Sequence, residues 1–433
     1  MVKEEGEVCV RMKLYTKGGM LMTIPRKLEG SWISHYLEFT KGMESPEIFH
    51  FWVAISLIAT SLGRDVYLDR GYFKLYPNMF IVLLAESEEC AKSTAIKIGV
   101  NMILRADEME GYPAIFAQKA SPQALVETLV DETGVPDADM VITKNAEVYI
   151  TSSELSVFLG KKEKNEELLT MLTDLYDCPD KWAYKTRFKG WEQVVNVCLN
   201  MVAGTTPKWL RLTIPSDAIA GGFVSRLVFI YVNHTDREFA HPEYGKAEEE
   251  LRLKLIHDLS LIRRIKGPFK WGPGAADWYS NWYSINAQKL KKSPELYIRR
   301  KKDLVLKLAM CVSASKSSDR AISIDDLQSG VSAVNKVEEY LPIAIALISS
   351  TTMGDDTRKV LEILRRELKV NHSALLRKLW HVIDAKRLSE IILTLEESGL
   401  IKTEYNAESS AKWYSYCGID KKASPTDSMG EIP

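Results

Sequence analysis

The densest chemistry in the sequence lies where an apolar run, Met79-Phe80-Ile81-Val82-Leu83-Leu84, gives way to Ala85-Glu86-Ser87-Glu88-Glu89-Cys90-Ala91-Lys92-Ser93-Thr94. A short continuous apolar run reads as a strand buried on both faces. A lysine followed by hydroxyls at the start of a helix after such a strand has the parts of a nucleotide-binding loop: an ammonium for the β/γ-phosphates and a hydroxyl for magnesium. Glu86, Ala91, Lys92, Ser93 and Thr94 are therefore the expected ATP-binding stretch, with Ser93 on Mg2+. The loop departs from the GxxxxGK[ST] pattern in four places. Glu86 and Ala91 stand where glycines belong, and Glu88 and Glu89 add negative charge beside the expected triphosphate. Two like charges about 4 Å apart repel by roughly 4 kcal/mol at an intermediate dielectric. Solvent screening removes most of that if the carboxylates point outward.

Three further places supply partners for such a loop. Val148-Tyr149-Ile150-Thr151 reads as a second buried strand and runs into Ser152-Ser153-Glu154, about 60 residues after Lys92. An acid at a strand end can hold the magnesium shell or orient the attacking water, so Glu154 is the expected base; as an alternative it caps the helix that follows. A strand at Val197–Val202 ends in Gly204-Thr205-Thr206-Pro207, and Thr205 is the expected γ-phosphate sensor, unless the threonines only cap a turn. Gly221-Gly222-Phe223-Val224-Ser225-Arg226 precedes the apolar run Leu227–Val232. Arg226 is the expected arginine finger, acting in cis or across a subunit interface.

The elements that must position these residues follow from periodicity. Trp32, Tyr36 and Phe39, then Phe49, Trp52, Val53, Ile55, Ile58 and Leu62, recur at helical spacing on either side of Pro46 and predict a helical cap. Strands at Met79–Leu84, Val148–Thr151, Val194–Val202 and Leu227–Val232, alternating with helices at Ser93–Leu104 and after Ser121-Pro122, predict an α/β core with a mainly parallel sheet. The pattern is helical from Pro242 to about residue 350. Thr357–Leu368, Ser373–Leu379 and Ala385–Glu397 then read as three helices, followed by short strands near Leu400–Glu404 and Trp413–Tyr416, the pattern of a winged helix. The expected organisation is a lead-in and helical cap over 1–75, a P-loop ATPase core over 76–240, a helical domain over 241–350, a winged helix over 355–420 and a disordered tail over 421–433.

Taken in order, a set of short motifs resembles the YfjI-like family of phage and prophage P-loop proteins, found beside or fused to primases and grouped with replicative helicases. They are Pro46 with Phe49-His50-Phe51-Trp52 through Leu62-Gly63-Arg64, Leu75-Tyr76-Pro77-Asn78, Lys92-Ser93-Thr94-Ala95, Ser121-Pro122-Gln123-Ala124-Leu125, Ser153-Glu154-Leu155, and Gly221 to Arg226; Leu304 to Ala309 continues the match. The resemblance covers roughly residues 30–345 and implies a RecA/AAA-like ATPase core, Mg-ATP and a role in DNA replication. At the phosphate loop the chain departs from it, since a glycine-rich GPSG-like turn would be expected there.

Two segments have the composition of DNA contacts. Lys181-Trp182-Ala183-Tyr184-Lys185-Thr186-Arg187-Phe188-Lys189-Gly190-Trp191 alternates bases and aromatics with period two, which suggests a hairpin. Stacking is worth about 1–3 kcal/mol per base, so Lys185, Arg187 and Lys189 are the expected single-strand contacts; the alternative is a hairpin whose aromatics merely pack onto the domain. In the C-terminal segment Lys386 and Arg387 at the start of the third helix, with Arg377 on the helix before, are the expected duplex contacts; the alternative is a winged helix that docks protein. Arg299-Arg300-Lys301-Lys302 is a further basic patch or a solvated helix face.

Bulk properties limit the choices. The 433 residues carry a net charge of −1, so no global basic field draws the chain to nucleic acid and any DNA contact must be local. Six cysteines without a CxxC pair argue against a zinc site or a disulfide framework. No membrane-length apolar run and no signal-like N-terminus is present, so a cytoplasmic protein is expected. The leading expectation is a DNA-dependent ATPase or helicase-like enzyme, a ring-forming homo-oligomer with a primase or polymerase partner. The alternatives are a non-hydrolysing scaffold acting as a DNA-binding initiator or loader, and a transcriptional regulator.

Overall fold

The computed structural model describes residues 24–417 apart from 87–88, 118, 134–144, 187–189, 216, 236, 240–243, 293–295, 350–351, 398–399 and 406–411. Helix α1 (Trp32–Phe39) buries Trp32, Tyr36 and Phe39 from one face. Pro46 is the N-cap residue of α2 (Glu47–Leu62), where its fixed φ and missing N–H cost nothing. Along α2 nearly every side chain from Phe49 to Leu62 is buried, as expected for a helix apolar all round. It packs against α1, against three later helices and onto the main sheet.

Strands β1 (Val66–Asp69) and β2 (Lys74–Leu75) form an antiparallel pair after α2. Then come β3 (Phe80–Leu84), α3 (Lys92–Asp107), β4 (Ala114–Phe116), α4 (Pro122–Thr133), β5 (Glu147–Ser152), α5 (Leu155–Leu159) and α6 (Glu166–Leu175). A hairpin of β6 (Lys181–Thr186) and β7 (Gly190–Val195) precedes β8 (Cys198–Thr205), α7 (Pro207–Thr213), α8 (Asp217–Ala220) and β9 (Leu227–Tyr231). The principal sheet has the order β4-β5-β8-β3-β9, with every pair parallel. Strands β3, β5 and β8 are buried along their whole length, because crossover helices cover both faces of a parallel sheet. The molecule is thus a mixed α/β protein with a five-stranded parallel sheet.

The stretch Val194–Val202, read as one strand, divides in two. Val195 ends the hairpin, Asn196 turns through the left-handed region at φ 52°, and β8 starts at Cys198.

Beyond β9, α9 (Lys246–Arg263), β10 (Gly267–Trp271), α10 (Ala275–Lys292), α11 (Leu296–Lys316), β11 (Ala321–Ile322) and α12 (Ile324–Ser349) follow. The expected wholly helical stretch therefore contains two strands. They join the first pair in a second sheet, β11-β10-β1-β2. Both are too short to show a period, and β10 carries Gly267 and Pro268, which read as a turn. Residues 1–348 form one compact unit, so the segments 1–75, 76–240 and 241–348 share a core.

The second unit, 349–433, has its own core of Val360, Leu364, Leu375, Leu388, Ile391 and Tyr414 among others. It comprises α13 (Thr352–Glu367), β12 (Lys369–Asn371), α14 (His372–Leu379), α15 (Ala385–Glu397), β13 (Ile401–Tyr405) and β14 (Lys412–Tyr416). Its three strands are antiparallel in the order β12-β14-β13; β12 joins the two strands read from sequence. Among the described residues no helix is long and apolar enough to cross a membrane.

One buried group gives the fold a pH dependence. His50 on α2 is fully buried, and neither ring nitrogen has a hydrogen-bond partner. Burial, with Arg237 nearby, pushes its pKa down to about 4. A depressed histidine is neutral in the fold but takes up a proton when unfolded below its ordinary value near 6.5. Stability is thus lost as pH falls from about 6.5 towards 4, by about 3 kcal/mol at pH 4 from this group alone. Denaturant titrations of wild type and His50→Leu at pH 7 and pH 4.5 check this; the variant is expected to lose less stability on acidification.

Candidate nucleotide site at one edge of the sheet

Because β3, β5 and β8 run parallel, the segments that leave their C-terminal ends meet along one edge. Lys92 is the first residue of α3, buried to 9% exposure. Its Nζ donates to the carbonyls of Ala85 and Glu86, both at 2.8 Å. The ammonium thus folds back across the loop that joins strand to helix. Burial lowers its pKa, opposed by the charges of Cys90, Glu154 and Glu86. An ammonium at the N-terminus of a sixteen-residue helix is a pairing that favours an anion.

Ala91 shows why glycine suits this turn. It has φ 42° and ψ 41°, the left-handed region, which costs a residue with a Cβ roughly 1–2 kcal/mol. The strain is held from outside the loop. Ser45 Oγ donates to the Ala91 carbonyl at 2.9 Å, and Arg237 Nη1 donates to the Ser45 carbonyl at 3.0 Å. Ala91→Gly is expected to raise stability by up to about 1 kcal/mol, since glycine adopts this conformation without a steric penalty. Urea midpoints of the two proteins measure it.

Glu154 follows β5 and does two things. Its Oε1 accepts from Thr205 Oγ1 at 2.8 Å, and it is the N-cap of α5, accepting from the Ser156 N–H at 3.5 Å. Ser152 Oγ donates to the Glu154 carbonyl at 2.7 Å. Thr205, fully buried, ends β8 opposite Leu84, the last residue of β3. Thr206 is the cap of α7, accepting from the Trp209 N–H at 3.3 Å. Gly204 permits the close approach of the loop after β5 and of α3: a Cβ there would stand 2.7 Å from the Ser153 carbonyl and 3.5 Å from the Lys92 Cβ.

The other loop residues lie around this group. Ser93 is half-buried and Thr94 exposed. The side chain of Glu86 is exposed, and Glu89 pairs with His234 at 3.5 Å. Glu88 lies outside the described residues. Neither described acid is buried in the loop beside Lys92, so solvent screens much of the expected repulsion.

Arg226 is not brought to this edge. It stands just before Leu227, which pairs with Phe80 at the opposite end of β3. Five residues of strand separate the two ends, roughly 15 Å. A finger acting in cis within one chain is therefore excluded by strand direction. Arg226 instead donates to Asp177 Oδ2 at 2.8 Å and to the Gly222 carbonyl at 3.0 Å.

Of the expected hairpin contacts, Lys185 is exposed, and Arg187 and Lys189 lie outside the described residues. Trp182 stacks on Tyr184 with ring centres 5.7 Å apart, and both pack against the core. The Tyr184 hydroxyl donates to Glu167 in the first turn of α6.

In the C-terminal unit Arg377 and Lys386 are exposed, whereas Arg387 is half-buried against Asp356 at 2.7 Å. Lys378 is paired with Glu367. Sequence reasoning missed Ser45 and Arg237, whose roles depend on contacts about 46 and 192 residues away. No family model and no curated protein matches the chain.

Proposed function

We propose that the chain is a P-loop ATPase of RecA/AAA-like architecture that couples nucleotide binding to engagement of DNA. One observation carries this reading: a lysine opens a helix directly after a fully buried parallel strand, and an acid and a hydroxyl leave the next two strands at the same edge, hydrogen-bonded to each other. The strand of Thr205 lies between those of Lys92 and Glu154, an order that fits a RecA/AAA-like core.

Lys92 and the N-terminus of α3 would hold the phosphates of ATP, and Ser93 would hold Mg2+. Magnesium-bound ATP supplies the phosphoryl group whose transfer to water is the reaction. Glu154 orients that water, and Thr205 fixes the carboxylate from its far side. Arg226 would serve the site of a second copy in a homo-oligomer, possible only across a subunit interface. Helix, strand, two helices and a two-stranded hairpin in the C-terminal unit fit a winged helix. Arg377 and Lys386, both exposed, would contact duplex DNA, with Arg387 held by Asp356. Lys185, Arg187 and Lys189 would meet single-stranded DNA at the core. The resemblance to YfjI-like proteins adds a primase or polymerase as partner.

The test is phosphate release with and without single-stranded DNA. The reading expects stimulation by DNA in wild type and loss of turnover in Lys92→Ala. Equal release from both proteins would overturn it.

A second reading, a non-hydrolysing scaffold acting as a DNA-binding initiator, is favoured by the loop itself. Lys92 is already satisfied by two carbonyls, and Ala91 holds a conformation that glycine would take freely. That reading expects DNA binding unchanged in Lys92→Ala and no turnover in either protein.

A further inference from the structure

At the opposite edge of the principal sheet a cavity of about 290 Å³ is lined by residues from four separated parts of the chain. Tyr176, just after α6, is one of the residues that line it. Three cations surround this ring: Lys307 Nζ lies 4.3 Å from the ring centre, and the guanidinium carbons of Arg300 and Arg226 lie 5.6 Å and 5.7 Å away. Lys74 supplies a fourth cation at the exposed rim.

One carboxylate joins the two arginines. Asp177 accepts from Arg226 at Oδ2, 2.8 Å, and from Arg300 at Oδ1, 3.4 Å. Arg226 is largely buried, with 11% of its side chain exposed, and its buried Nε has no hydrogen-bond partner among the described residues. Gly222, at φ 81°, lets the guanidinium lie against the backbone, since a Cβ there would stand 3.1 Å from Nη1. Lys307 is buried and donates to two neutral oxygens, the Asn78 carbonyl and Oδ1, both at 2.8 Å. Four cations face two acids here, Asp177 and the lining residue Asp303. The excess matches a dianion, and two arginine forks are suited to phosphate oxygens.

We propose that this cavity is a second phosphate site, which takes a terminal phosphoryl group between Arg226, Arg300 and Lys307, with Asp177 occupying the arginines until the ligand displaces it. A phosphodiester carries a single charge per phosphate, which fits the excess less well. Free inorganic phosphate and the terminal phosphate of ATP held by a second copy present the same chemistry. The site shares no residue with the Lys92 loop. Its link to the proposed function is Arg226, whose role across an interface it would make specific.

The experiment titrates inorganic pyrophosphate into wild type and into Lys92→Ala by calorimetry, so that the loop and the cavity are read separately. Lys92→Ala is expected to retain one binding event. Charge-assisted hydrogen bonds are worth about 1.5–3 kcal/mol, so Arg300→Ala in that background is expected to weaken it roughly tenfold or more. Arg300→Lys, which keeps the charge and loses the fork, gives an intermediate loss, and Asp177→Asn tightens binding. A second arm mixes ATP-loaded wild type with Lys92→Ala in sedimentation; association that needs nucleotide and falls with Arg300→Ala identifies the second copy as the source. No pyrophosphate binding to Lys92→Ala, binding unmoved by Arg300→Ala, or displacement by an oligonucleotide lacking terminal phosphates overturns the proposal.

Discussion

Glu154→Gln is expected to lower phosphate release by at least about 100-fold while leaving nucleotide binding intact, the scale typical for loss of a group that handles a proton in the transition state. Glutamine has nearly the same shape. Its carbonyl oxygen can still accept from Thr205 Oγ1 and from the Ser156 N–H, so the cap of α5 and the strand end survive. What disappears is the negative charge near Lys92, which removes one repulsion from the phosphates and should hold affinity level or raise it. Release rates and binding constants measured side by side separate these effects. If Glu154 were only a helix cap, glutamine would leave turnover where it was. Thr205→Val is the companion variant: it frees the carboxylate without removing it and should cost less.

Glu147→Ala is expected to destabilise the first unit by about 3–5 kcal/mol, the range found when one partner of a buried ion pair is removed. Glu147 opens β5, the strand that delivers Glu154, and is 4% exposed. Its Oε1 accepts from the Arg64 N–H at 2.6 Å and its Oε2 from Arg263 Nη2 at 2.7 Å. Burial works to lower the pKa of Arg263, but the charge and hydrogen bond of Glu147 outweigh it and raise the value. Without that carboxylate a guanidinium with 17% of its side chain exposed keeps its charge and loses its closest counter-ion. Replacing both partners together, Glu147→Leu with Arg263→Met, is expected to restore part of the loss, because no buried charge is then stranded. Guanidinium midpoints for the two singles and the double measure the coupling. A single-variant loss below about 1 kcal/mol would mean that water reaches the pair.

Four of the five strands of the parallel sheet were readable because they are continuous apolar runs; the three-residue β4 was not. Met79–Leu84 and Val148–Thr151 have no polar face to hide, and each adjoins a helix with a clear period. The second sheet was not, since two of its strands have two residues and β10 opens with Gly267-Pro268. The pairing of β1 with β10 joins residues about 200 positions apart, and no local pattern encodes it. In the site, Lys92, Glu154 and Thr205 could be named because each follows an apolar strand, and strand direction alone puts them together. The same rule places Arg226 at the far edge, since it precedes its strand, and that sign was available in the sequence. The torsion of Ala91 and the brace from Ser45 and Arg237 were not. They depend on how the turn between α1 and α2 and the segment after β9 meet the loop.

The proposed activity requires the Lys92 loop to accept a triphosphate in exchange for its own carbonyls. Titration of a fluorescent Mg-ATP analogue into wild type and Lys92→Ala tests this most directly. Saturable binding by wild type is expected, weakened at least about tenfold in the variant, the loss of one charge-assisted contact. Binding that is equal in the two proteins, or absent from both, contradicts it.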